Sequence, residues 1–157
     1  MGSMRRLLNT ALVPGCLGII GLLVLAGGGR QPAAAQAGLE TRTVKVEGGG
    51  RYTDVSATVL SRMLAKKEFL LVNVHIPYEG EITGTDLALP FNEVEANLAR
   101  LPADKSARVV LYCRSGNMSV TAARTLVRLG FTDVWNLDGG MIAWQEAGYP
   151  LAGTAKR

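Results

Sequence analysis

The chain is short of the residues from which metal and redox centres are built: it has one histidine and two cysteines in 157 residues. Zinc and iron–sulfur sites gather three or four such ligands at close spacing, and Cys16 and Cys113 lie in separate regions, so no metal is expected. For the same reason the two cysteines make no disulfide framework. Aromatic residues are few, at 6%, and no basic cluster is interleaved with them, which argues against nucleic acid as a partner. The formal charge of +4 does not change that reading. Arg5, Arg6 and Arg30 all fall in the N-terminal segment, and without them 14 basic residues face 13 acidic ones. Phosphate-cradling motifs are missing as well. The glycine triplets at 27–29 and 48–50 fit neither a P-loop nor a dinucleotide fingerprint, so no cofactor is expected.

What the chain does have, near its start, is Arg5-Arg6 ahead of an uncharged stretch from Leu7 to Gly29, followed by Gln31-Pro32-Ala33-Ala34-Ala35-Gln36. Positive residues, an apolar run and a small-x-small site are the parts of a secretory signal. The run from Ala11 to Ala26 is also barely long enough to span a bilayer, so cleaved signal and retained anchor both stay open. A lipoprotein box at Val13-Pro14-Gly15-Cys16 has too few apolar residues before it and too many after it. Positive charge before the run keeps the N-terminus inside, so the domain is expected outside the cytoplasm, periplasmic or at the cell surface. It would touch the membrane through this segment if the segment is not cleaved. Residues 1–35 are thus read as signal or anchor. Residues 36–51, with mixed charge and Gly48-Gly49-Gly50, are read as a linker with at most one edge strand at Thr41 to Val46. Residues 52–157 are read as one domain.

Within that domain strands and helices alternate. Tyr52 to Val55 is a strand, and Ser56 caps a helix whose Val59, Leu60, Met63 and Leu64 recur at helical spacing. Phe69 to Val74, apolar except for Asn73, predicts a central strand, and Leu87 to Leu89 a short one ending at Pro90. A helix capped by Asn92 is expected over Glu93 to Leu101. Val109 to Tyr112 is the next buried strand. A helix from Ser119 to Leu129 buries Val120, Ala123, Leu126 and Val127, stops at Gly130, and gives way to a strand over Thr132 to Asn136. Trp135 and Trp144 read as packing residues. The fold class is therefore α/β: a central parallel sheet flanked by helices, preceded by an apolar N-terminal signal or anchor helix, with ligands expected beyond the carboxyl ends of the strands.

Cys113 stands at such an end. The strand Val109-Val110-Leu111-Tyr112 delivers it to the short loop Arg114-Ser115-Gly116-Asn117-Met118, from which Ser119 opens a helix. A sulfur so placed sits before the positive end of a helix, and the amides of a tightly curled loop can point inward at it. Gly116 permits a positive φ, and Ser115 and Asn117 do not obstruct the curl. This is an anion site built around a nucleophilic thiolate, and a cysteine buried for packing alone would need neither polar loop nor helix N-terminus.

The stretch resembles the active-site loop of the rhodanese family, in which Cys-Arg-x-Gly-x-Arg-Ser/Thr follows a central strand. Cys113, Arg114, Gly116 and Ser119 match, whereas Met118 stands where the family usually has a second arginine. Leu137-Asp138-Gly139-Gly140-Met141-Ile142-Ala143-Trp144, with Ala147-Gly148-Tyr149-Pro150 after it, is similar to the family's closing signature. Upstream, Leu70 to His75 occupies the place of a strand ending in Asp-Val-Arg, with Asn73 for the aspartate and His75 for the arginine. Together these motifs span Tyr52 to Leu151. The resemblance implies a three-layer rhodanese-like domain. It also implies a pair between His75 and Glu79 that ties down a loop, in place of the family's Arg-x-x-x-Glu.

Three functions compete. A sulfurtransferase would load sulfane sulfur on Cys113 as a persulfide, from a donor such as thiosulfate or a persulfide, and pass it to a thiol or other nucleophilic acceptor, small or protein-borne. Cys113 is then the catalytic residue, and Arg114, Ser115, Gly116, Asn117, Met118 and Ser119 form the substrate-binding loop. A phosphatase or arsenate reductase of the related loop type needs a histidine before the cysteine and an arginine at the loop's end, where Tyr112 and Met118 stand instead. A non-enzymatic module would dock an extracytoplasmic partner or carry sulfur without turnover.

Overall fold

Strand β6, Val109–Tyr112, is buried along its whole length and lies between β7, Val134–Leu137, and β3, Leu70–Asn73. The structure is a computed structural model that describes residues 41–153; the segment read as signal or anchor lies outside the described residues. Among the described residues no helix is long and apolar enough to cross a membrane.

The remaining elements follow in chain order. They are β1 Thr41–Lys45, β2 Arg51–Val55, α1 Ala57–Leu64, β4 Glu81–Ile82, β5 Leu87–Ala88, a 3-10 helix Glu95–Arg100, α2 Asn117–Arg128, α3 Gly140–Glu146 and β8 Leu151–Ala152. The main sheet runs β1-β2-β7-β6-β3-β5. Every pair in it is parallel except β1 with β2. The sheet is therefore mixed, which corrects the wholly parallel expectation. Thr41 pairs with Val55 and Lys45 with Arg51, so the glycine triplet read as linker is the turn of a hairpin that adds an antiparallel edge. β3 lies inside the sheet but one place from the edge, since β5 covers it. A second, two-stranded sheet of β4 and β8 was not expected; strands of two residues carry too little pattern to read.

Alternation of side chains about β3 and β6 divides the core in two. Val72, Val74, Val109 and Leu111 pack with Ala122, Ala123 and Leu126 of α2 on one face. Leu71, Val110 and Tyr112 pack with Leu60 of α1 and with Met141 and Trp144 of α3 on the other. Each fully buried leucine or valine of this kind contributes about 1.5–3 kcal/mol, so the sheet is clamped from both sides. Trp144 is buried, donating Nε1–H to the Pro150 carbonyl at 3.0 Å, whereas Trp135 is only half-buried, under the Arg108 guanidinium.

Two helices differ from expectation. The Glu93–Leu101 segment is not an α-helix: a 3-10 turn runs Glu95–Arg100 with a break at Asn97, and its start at Val94 has no side-chain cap from Asn92. None of its residues is buried, and the Asn97 amide donates to the Glu93 carbonyl at 2.9 Å, a local bond that competes with helical pairing. Helix α2 begins two residues earlier than Ser119, because Gly116 takes the left-handed conformation (φ 95°) at its N-cap and lets Asn117 enter the helix at once. Val120 is half-buried, and Ala122 takes the fully buried place beside Ala123.

Candidate active site

Cys113 is the first residue beyond β6, and its side chain turns to the α2 face of the sheet with 1% of the residue exposed. The Gly116 amide donates to Sγ at 3.1 Å. Ser119 Oγ lies 3.5 Å from Sγ and 3.0 Å from the Gly116 carbonyl oxygen. One hydroxyl proton serves one acceptor at a time: beside a thiol it goes to the carbonyl, and beside a thiolate it can turn to sulfur. Asn117, Met118 and Ser119 form the first turn of α2, so their amides have no partner within the helix and carry its positive end. The loop expected to ring the sulfur thus meets it directly through Gly116, with the helix terminus behind.

The start of α3 holds this loop from below. Met141 N–H donates to the Cys113 carbonyl at 2.9 Å and Ile142 N–H to that of Arg114 at 3.0 Å. Such an approach leaves no room for a side chain at Gly140, where a Cβ would sit 2.7 Å from the Arg114 carbonyl oxygen and closer still to that of Cys113; its φ is +59°. The Gly-Gly pair is therefore part of the site.

Of the other loop residues, Arg114, Ser115 and Asn117 are exposed, Gly116 and Ser119 are buried, and Met118 is half-buried against the α2-side core. Arg114 does not hang free. Its Nη1 donates to both carboxylate oxygens of Glu79, at 3.0 and 2.9 Å. Glu79 also faces His75, whose Nε2 stands 3.3 Å from Oε2, close enough for an ion pair but outside hydrogen-bond geometry. The expected i,i+4 pair is present, and the stronger partner of Glu79 is Arg114, 35 residues away. Asn73 explains how the intervening loop is held: its Oδ1 accepts the His75 amide at 3.0 Å, and its Nδ2 donates to the Gly80 carbonyl at 3.0 Å.

Tyr112 points to the opposite face from Cys113. Its hydroxyl accepts the Ile82 amide at 3.0 Å and shares a proton with Thr85 Oγ1 at 2.6 Å. Burial pushes the phenol up to about 12. It is a structural anchor for β4. The loop-holding bonds of Asn73, the Arg114 partnership of Glu79 and the anchoring role of Tyr112 escaped sequence reasoning; the last two depend on partners 35 and 30 residues away that only the folded chain supplies. The asparagine at a strand end was the one local signal.

Similarity to known proteins agrees with this geometry. The chain is 37% identical over 102 residues to a protein named sulfurtransferase from Allochromatium vinosum, covering 62% of this chain and 92% of that one. It is 31% identical to the thiosulfate sulfurtransferase GlpE of Pseudoalteromonas translucida, covering 61% and 91% of the two chains. The crystal structure of a rhodanese-related protein from Thermoplasma volcanium superposes with a TM-score of 0.54 at 27% identity, over 62% of this chain and 95% of the other. The model of the rhodanese-like domain matches residues 56–147, from the cap of α1 to the end of α3, and the chain belongs to the rhodanese-like domain family.

Proposed function

We propose that this protein is a rhodanese-type sulfurtransferase with Cys113 as its nucleophile. The observation that carries the reading is the buried Sγ set 3.1 Å from the Gly116 amide at the head of α2. In the first half-reaction the Cys113 thiolate attacks the outer sulfur of a sulfane donor; an S–S bond forms to Cys113 as the donor's S–S bond breaks, and the donor leaves as sulfite or as a thiolate. In the second, an acceptor thiolate attacks the terminal sulfur of the persulfide and Cys113 leaves as thiolate, so no net redox change falls on the protein. Helix-terminal amides stabilise the anionic sulfur in both steps. Cys113 is the only cysteine among the described residues, which favours an external acceptor over an internal resolving thiol.

The donor is a sulfane sulfur of low charge. Arg114 is engaged by Glu79 and Met118 offers no donor, so the mouth lacks the pair of free cations that a dianion such as thiosulfate would use. The order of arginines and apolar run at the N-terminus supports action outside the cytoplasm. Persulfide loading followed by intact mass, alongside thiosulfate-to-cyanide transfer and p-nitrophenyl phosphate hydrolysis, tests the assignment. Wild type should gain the mass of one sulfur and Cys113→Ser none, with neither cleaving the phosphate ester. Loading that survives in Cys113→Ser overturns the proposal.

A further inference from the structure

An apolar hollow lies at the far end of α2, about 16 Å along the helix axis from the cysteine loop, and the sulfur chemistry does not use it. It is a groove of about 570 Å³, within the range of small-ligand sites. Val46, Val127 and Phe131 make its floor, and the β1–β2 hairpin and residues 130–132 make its walls. Glycine keeps the walls low: no side chain rises at Gly49, and at Gly50 (φ +81°) a Cβ would run into Val127 Cγ1 at 2.5 Å.

Its rim is cationic. Lys45 and Arg51 line it, and among the described residues neither is held in an ion pair. Lys105 is not part of the rim: its Nζ lies 5.9 Å from the Phe131 ring centre and donates to the Leu129 carbonyl. A smaller hollow sharing Lys45 and Val46 adds Arg124 and Arg128, and among the described residues Glu47 is the only acid lining either space. Basic and acidic residues nearly balance along the domain, so this concentration is a local asymmetry. An apolar floor under unpaired cations complements a molecule with an apolar chain and an anionic head.

We propose that this groove binds a single-chain amphiphilic anion, of the medium-chain carboxylate type, with its chain on Val46, Val127 and Phe131 and its head at Lys45 and Arg51. The test uses the full chain with a decanoate analogue bearing a terminal diazirine, photolysed and mapped by peptide mass spectrometry. Label is expected within residues 43–51 and 127–132, competed by decanoate but not by decyltrimethylammonium. Replacing both rim cations (Lys45→Gln with Arg51→Gln) should cut the labelling about tenfold, as loss of two partly screened charge contacts predicts. Thr43→Trp, which adds bulk at an exposed lining position on the strand face shared with Lys45, should weaken it severalfold while leaving sulfur loading at Cys113 intact. Labelling unchanged in these variants, equal competition by the cationic detergent, or label confined to the apolar run at residues 11–26 would each overturn the proposal.

Discussion

Glu79→Gln isolates the part played by the loop-tethered arginine. In the wild type Arg114 Nη1 chelates both oxygens of Glu79, and the two side chains are 56% and 35% exposed. A pair so open to water contributes about 0.2–1 kcal/mol, because solvent screens the attraction. Glutamine keeps the shape and one acceptor but removes the charge, so Arg114 is left a net cation at the loop mouth. If that charge then serves the donor, the same 0.2–1 kcal/mol moves to substrate binding, and KM for thiosulfate should fall by up to about fivefold. An uncharged organic polysulfide should show no such gain. The assay is steady-state transfer to cyanide at low ionic strength, repeated in about 0.5 M salt, where the Debye length is only a few ångströms and the difference should shrink. An unchanged KM at low salt, or an equal change for both donors, would refute the view that Glu79 masks Arg114.

Met118→Arg should also lower KM for thiosulfate, about tenfold at most, since a charge-assisted hydrogen bond contributes about 1.5–3 kcal/mol and part is lost in lifting the head out of a half-buried position; kinetics with thiosulfate and glutathione persulfide check this. Gly140→Ala should cost at least about 2 kcal/mol in urea unfolding and slow sulfur loading, because its Cβ meets the Cys113 and Arg114 carbonyls at a positive φ. Tyr112 predicts a loss of stability in alkali. Its pKa is raised on folding from 10.0 to about 12, so the unfolded chain ionises first, and the phenol's contribution is whole below pH 10 and fades between pH 10 and 12. Urea midpoints at pH 8 and pH 11 should therefore fall more in the wild type than in Tyr112→Phe.

Legibility tracked how local each interaction is. The Cys113 site could be read because strand, cysteine, left-handed Gly116 and helix occupy 12 consecutive residues, 108–119, and each leaves its own mark in composition. Even there the boundary slipped: Ser119 has the chemistry of a cap, but the backbone freedom of Gly116 starts the helix two residues sooner. At Glu93–Leu101 periodicity misled, since only the flanking Val94 and Leu101 reach the core and Leu98 stays 37% exposed. The edge strand expected at Thr41 to Val46 is present as β1, but its pairing with β2 was hidden by the intervening glycines, which read as linker because a turn and a tether share a composition.

The tether between Glu79 and Arg114 lay beyond reach for a different reason. The spacing of His75 and Glu79 suggested a local pair, and the structure contains it, yet the carboxylate spends its hydrogen bonds on an arginine delivered by another strand. Parallel pairing of β3 with β6 brings Asn73 level with Tyr112, so the residues that follow each strand come out side by side. Sequence alone names the groups that could bind an anionic donor, whereas strand register decides which of them is already occupied. That distinction bears directly on function here: Arg114 fits the family's loop by its position, and its partner Glu79 determines how much of its charge a donor meets.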